Sequence, residues 1–123
     1  MNAAATGLTA QRQWMNLIAN NLANMNDVGG VPYRSLEPVL QATYGQGGTV
    51  QGVRVAGVAA SVAPSKMVYE PGVAGANAAG FVPGSNVSMS VQMVDLLAAG
   101  RAYQAAATSF QAAKAESQAA LQI

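Results

Sequence analysis

The chain has 123 residues, enough for one small domain, and its six basic and five acidic side chains leave a net charge of +1. Only 9% of the residues are charged while 51% are hydrophobic, against about 25% charged in an ordinary soluble domain. The basic residues are scattered, so no cluster can neutralise several phosphates, and the absence of Cys and His removes disulfides, thiolate metal sites and the usual nucleophiles and bases.

A solvated surface normally needs a mixture of Lys, Arg, Glu and Asp to stay dispersed. So few charges fit either a lineage rich in Ala and Gly throughout, or an outer surface covered by other subunits. The N-terminal stretch MNAAATGLTAQRQ has no basic segment before an apolar one, so it does not read as a conventional secretory signal. No stretch of about 18 consecutive apolar residues offers an ordinary transmembrane helix.

All five prolines and eleven of the thirteen glycines fall between Asp27 and Val87. Pro and Gly break helices, so the chain divides into helix, irregular or β-rich middle, and helix. The division places residues 1–27 and 88–123 in a terminal helical domain and residues 28–87 in a Gly/Pro-rich middle segment with short strands.

In the first segment Met1, Ala4, Leu8, Gln11, Met15, Ile18, Leu22 and Met25 follow alternating steps of three and four, the signature of an a/d seam. A helix of about 24 residues would run roughly 36 Å, which calls for a second long helix or a neighbour to cover it. Its end, IANNLANMND, is unexpected, because Asn is a poor helix former. Asn26 reads as a terminator that tolerates the left-handed conformation. Asn16, Asn20 and Asn24 form an i, i+4, i+8 row away from the seam, and Asn21 flanks it. An uncharged amide can be buried against a neighbour if it finds partners, so the row reads as an inter-subunit strip in preference to an exposed face.

In the middle, GQGGT (Gly45–Thr49) is a flexible turn that fits neither a P-loop nor GxGxxG. GVRVAGVAASV (Gly52–Val62) alternates, with a change of parity at Gly57 that predicts a β-bulge or sharp twist. A second β-like run, Lys66 to Tyr69, is stopped by the turn signal Glu70-Pro71-Gly72. In the last segment Ser88 or Ser90 can act as N-cap. Beyond it Met93, Leu96, Gly100, Tyr103, Ala107 and Phe110 repeat the three-four spacing among many helix-favouring alanines. The expected fold is therefore mainly α: long N- and C-terminal helices paired as an antiparallel coiled coil, with a small antiparallel β unit between them.

The acids Asp27, Glu37, Glu70, Asp95 and Glu116 are isolated in sequence, which offers neither an active site nor a metal cage. Neither a cofactor nor a small-molecule substrate is expected. Asn86-Val87-Ser88 fits the glycosylation triplet, a match too short to carry weight.

TAQ (Thr9–Gln11) followed by ANNLAN (Ala19–Asn24) resembles the N-terminal signature of the bacterial flagellar axial proteins, the rod, hook and hook-associated subunits. Within that family the chain is most similar to proximal-rod proteins. PYR (Pro32–Arg34), GVRV (Gly52–Val55), VYEPG (Val68–Gly72), GFV (Gly80–Val82), Asn86-Val87, QMV (Gln92–Val94), RAYQA (Arg101–Ala105) and AAK (Ala112–Lys114) continue the match in order. Ser88 stands where the family often has an acidic cap, and Gln92 where it commonly has Glu.

The resemblance implies a non-enzymatic structural subunit of the flagellar basal body. It would assemble with itself, other rod proteins and surrounding basal-body components into a helical tube that transmits torque. It also implies export in unfolded form through the flagellar type III apparatus into the periplasm. A different rod protein and a small secreted coiled-coil adaptor are the alternatives. At the subunit interface we expect Leu8, Met15, Ile18, Leu22 and Met25 of the first seam, with Asn20, Asn21 and Asn24 of the amide cluster. From the last segment we expect Met93, Leu96, Tyr103 and Phe110, with Arg101 of the RAYQA motif.

Overall fold

A computed structural model describes residues 2–122. Met1, the first member of the expected seam, lies outside the described residues. The N-terminal helix α1 spans Asn2–Ala23. It ends as bonds tighten to the i→i−3 pattern, from Met25 N to Leu22 O and from Asp27 N to Asn24 O. The expectation for Asn26 is corrected here. Among the described residues no non-glycine residue has positive φ, and the reversal falls to Gly29 and Gly30, with φ of 80° and 56°.

Strands β1 (Leu36–Tyr44) and β2 (Val50–Ala60) then form an antiparallel hairpin. A single 3-10 turn, Gln46–Gly48, joins them at the place of the expected flexible turn. The register slips between Val39, opposite Gly57, and Leu40, opposite Val55. Ala56 is thus the extra residue of a bulge, beside the glycine where the sequence changes parity. Strand β1 was not among the expected elements, and it carries Pro38 in its interior. In a two-stranded ribbon both strands are edges, so one missing N–H is tolerated.

A smaller ribbon follows, β3 (Met67–Tyr69) paired with β4 (Phe81–Pro83). The rings of Tyr69 and Phe81 meet edge to face at 5.4 Å, and the turn at Glu70 closes with a bond from Val73 N to Glu70 O. Helix α2 runs Met89–Leu121, capped by Ser88, whose hydroxyl accepts from Val91 N at 3.4 Å.

The expected coiled-coil fold is overturned. The described residues are 48% helix and 23% strand, two helices with two small antiparallel sheets, and the helices show no coiled-coil pairing among the described residues. They do run antiparallel in contact: Asn21 bonds Gln92, while Gly7 lies opposite Ala106. The buried positions of α2 are Gln92 and Ala99, one residue out of step with Met93 and Gly100 of the expected seam.

The physical reason lies in side-chain size and in the hairpin. Knobs-into-holes packing needs large apolar residues on both helices, whereas α2 turns Gln92, Ala99 and Ala106 toward α1. Helix α1 also buries a second stripe, because the hairpin lies along it. Ala10 is buried with Ile18 and Asn21, and Thr6 accepts a bond from Val53 N of β2. Two partners on two sides exclude a single straight seam. Among the described residues the largest wholly buried apolar side chains are only Ile18, Val82 and Val87, so hydrogen bonds carry much of the specificity.

Candidate assembly surface

The asparagines divide between two roles. Asn21 is fully buried. Its amide donates to Leu36 O and to Gln92 Oε1, both at 2.9 Å, and its oxygen accepts from the Tyr33 hydroxyl at 2.7 Å and from Leu36 N at 2.9 Å. An amide offers two donors and two lone pairs, so every one is used. One side chain thereby joins α1, α2, β1 and the loop before it.

The neighbours extend this knot. Gln92 Nε2 donates to Ser35 Oγ at 3.3 Å. The Asn86 oxygen accepts from Ser35 N at 2.7 Å, while its Nδ2 donates to Ser61 O and Ala63 O. The Arg34 guanidinium bonds the same two carbonyls, at 3.0 and 2.9 Å. With Asn86 engaged in this way, the glycosylation triplet has no free amide to offer. A neutral Gln92 also suits a buried site with no cation in its bonding shell, since an ionised Glu there would be costly to desolvate.

Tyr33 is half-buried, and burial raises its phenol above the usual value of 10.0, opposed by the bond from Asn20. A raised folded value means that the folded chain holds the proton more tightly, so this phenol's contribution to stability is fully present below pH 10 and is lost as pH climbs above it. Stability measured by urea unfolding should fall across that alkaline window in the wild type and fall less in Tyr33→Phe.

The other amides face outward. Asn16 and Asn20 are exposed and Asn24 is half-buried; Asn20 donates to the Tyr33 hydroxyl at 3.0 Å, and Asn24 to Asn20 O at 2.9 Å. Of the remaining expected interface residues, Ile18 is buried. Leu8, Met15, Leu22, Met25, Tyr103 and Phe110 are half-buried, and Met93, Leu96 and Arg101 are exposed.

A broader surface went unseen in the sequence. The first half of α2 exposes Met89, Val91, Met93 and Leu96 together with Val94, 66% accessible, and Leu97, 59% accessible. The helix is inverted, with polar Gln92 inside and large apolar side chains outside. Between Met93, Leu96, Leu97, Gly100, Arg101 and Gln104 lies an open hollow of about 500 Å³. The signal was present in SVQMVDLLAAG, which is apolar on several faces, but a one-face periodic template does not register it.

Acids separated in sequence line two grooves together. Glu37 and Asp95 flank Trp14, Pro38 and Leu40, and Asp27 and Glu70 share a second groove with Lys66. Among the described residues no group of three or more potential ligands could hold a metal ion, and no helix is long and apolar enough to cross a membrane.

Comparison with known proteins decides what such a surface belongs to. The family described as "Flagella basal body rod protein" matches residues 1–30, and "Flagellar basal body rod FlgEFG protein C-terminal" matches residues 78–123. The flagellar basal-body rod protein FlgC of Escherichia coli O6:H1 is 45% identical over 105 residues, covering 83% of this chain and 78% of its own. The chain belongs to the flagellar basal-body rod family. The FlgC proteins of Borreliella burgdorferi and Bacillus subtilis are each 34% identical over all of this chain, covering 94% and 95% of their own. The two matched segments of this rod-family chain contain α1 and α2, and between them hold Asn21 and Gln92, the two ends of the buried amide bond.

Proposed function

We propose that this chain is a structural subunit of the flagellar basal-body rod that assembles with itself and other rod proteins into a helical tube transmitting torque. It has no catalytic role. The observation that carries the reading is the inverted helix, whose large apolar side chains face outward from Met89 to Leu97. Contiguous apolar surface of this kind marks an interaction site, and the low charge of the chain as a whole, 9% of its residues, fits contacts repeated on several sides. The FlgC relatives favour the proximal rod over another axial subunit. Delivery through the flagellar type III export apparatus and residence in the periplasm belong to the same reading. The outward amides Asn20 and Asn24, with Met93, Leu96 and Arg101, are the expected interface residues best placed to serve it.

Val94→Asp and Leu97→Asp test this. Both side chains are more than half exposed, so the isolated variants should unfold within about 0.5 kcal/mol of the wild type. A carboxylate buried without a partner costs several kcal/mol. Each variant should therefore be exported yet missing from purified basal bodies, and cells should not swim. Normal swimming in both variants would overturn the reading.

A further inference from the structure

We propose that Arg101 of one copy inserts into the groove formed by Trp14, Glu37, Pro38, Leu40 and Asp95 of a second copy, making the charged contact between like subunits. The inference rests on the assembly reading and names the partner of its surface.

The groove has a volume of about 210 Å³ and opens between the inner face of the hairpin and the two helices. Trp14, Pro38 and Leu40 supply apolar lining, and the carboxylates of Glu37 and Asp95 stand with them. Among the described residues, neither acid forms a salt bridge with a cation of its own chain. That combination suits a long aliphatic side chain ending in a cation: the stem lies on Leu40 and Pro38, and the head meets two carboxylates beside an indole face. Arg is favoured over Lys because its planar fork bonds carboxylates at two points and stacks on aromatic rings.

This chain carries such a side chain on a matching surface. Arg101 is exposed at the edge of the apolar hollow of Met93, Leu96, Leu97 and Gly100. Of the other arginines, Arg34 bonds backbone carbonyls and Arg54 bonds Gln41, while Arg12 is exposed on α1 but does not line the apolar hollow as Arg101 does. Asp95 and Arg101 are six residues apart on α2, which separates them by about 120° around the helix and about 9 Å along it. One copy therefore presents its acidic groove and its basic hollow on different faces. Joining unlike faces gives a head-to-tail contact that need not close and so can propagate as a helix.

The test uses the purified full chain, with self-association read by sedimentation velocity and the environment of Trp14, the sole tryptophan, by its fluorescence. The wild type should associate with rising concentration while Trp14 emission shifts. Arg101→Glu, and the pair Glu37→Lys with Asp95→Lys, should each weaken association by about tenfold or more. Combining all three changes should restore it. Circular dichroism confirms that each variant is folded.

The proposal fails if the wild type does not associate, if the charge reversals associate as the wild type does, or if the folded combination shows no recovery. Leu97→Asp separates this failure from failure of the assembly reading. Association lost in Leu97→Asp but kept in Arg101→Glu removes the arginine contact alone, whereas association kept in both removes the apolar surface as well.

Discussion

Asn21→Leu should destabilise the isolated chain by about 3–4 kcal/mol, among the largest effects of any single substitution in α1. Leucine keeps the branched outline and is larger, so no cavity opens and the loss comes from the hydrogen bonds, with any overpacking added to it. Leucine would leave Leu36 N–H, Leu36 C=O, Gln92 Oε1 and the Tyr33 hydroxyl without the partner they now share. A buried group left unmade costs about 1–3 kcal/mol. Tyr33 and Leu36 are only partly buried, and water can repair some of the damage, which brings the sum down to the stated range. For a domain of this size the melting temperature should fall by about 10 °C or more. Asn16→Leu, on an exposed position one turn earlier, should change stability by less than about 0.5 kcal/mol. Urea unfolding followed by far-UV circular dichroism measures both. A loss below about 1 kcal/mol for Asn21→Leu would mean that the knot does not hold helices and hairpin together.

The same residue marks how far the sequence could be read. Local signals were legible: the glycine and proline distribution located both helices, Ser88 capped α2 as its hydroxyl allows, and the parity change at Gly57 located the bulge. Those features depend on neighbours a few residues away. Which side of α1 Asn21 faces depends on Leu36 and Gln92, the latter 71 positions downstream, and nothing local announces that bond. Asn16, Asn20 and Asn24 of the row at steps of four stand away from that knot, the first two exposed and the third half-buried. Asn21 flanked the seam and was expected between subunits, yet inside the chain it found the four partners that an amide needs.

The coiled-coil expectation failed for a related reason. Three-four spacing reports that a helix has an apolar side, but it does not say which element lies against that side. On α2 the stripe of Met93 and Leu96 is real, yet it faces away from α1, and the chain packs its helices through Ala99 and Ala106 instead. Close approach through small residues leaves the large apolar side chains for other partners. Inverted patterning of this kind is uneconomical for a solitary domain and natural for a subunit of a rod.

Gly52→Val should cost about 2–3 kcal/mol, although strand propensity alone favours the opposite outcome. Gly52 sits opposite Thr43 in the hairpin and directly over α1. A Cβ there would fall far inside contact distance of Thr6 Oγ1 and only 3.2 Å from both Thr6 Cβ and Cγ2. Rotating the threonine gives no relief, since a methyl replaces the hydroxyl, and it sacrifices two bonds. The hydroxyl donates to Ala3 O at 2.7 Å and accepts from Val53 N at 3.1 Å. The hairpin must therefore lift from the helix, exposing Ala10 and unmaking the Val53 bond. The smaller change Gly52→Ala should be partly rescued by Thr6→Ala, because removing the hydroxyl opens the space that the new methyl needs. A double-mutant cycle by urea unfolding should return a coupling of about 1 kcal/mol in the rescuing direction. Strict additivity, or a Gly52→Val chain as stable as the wild type, would show that the hairpin does not depend on this close approach to α1.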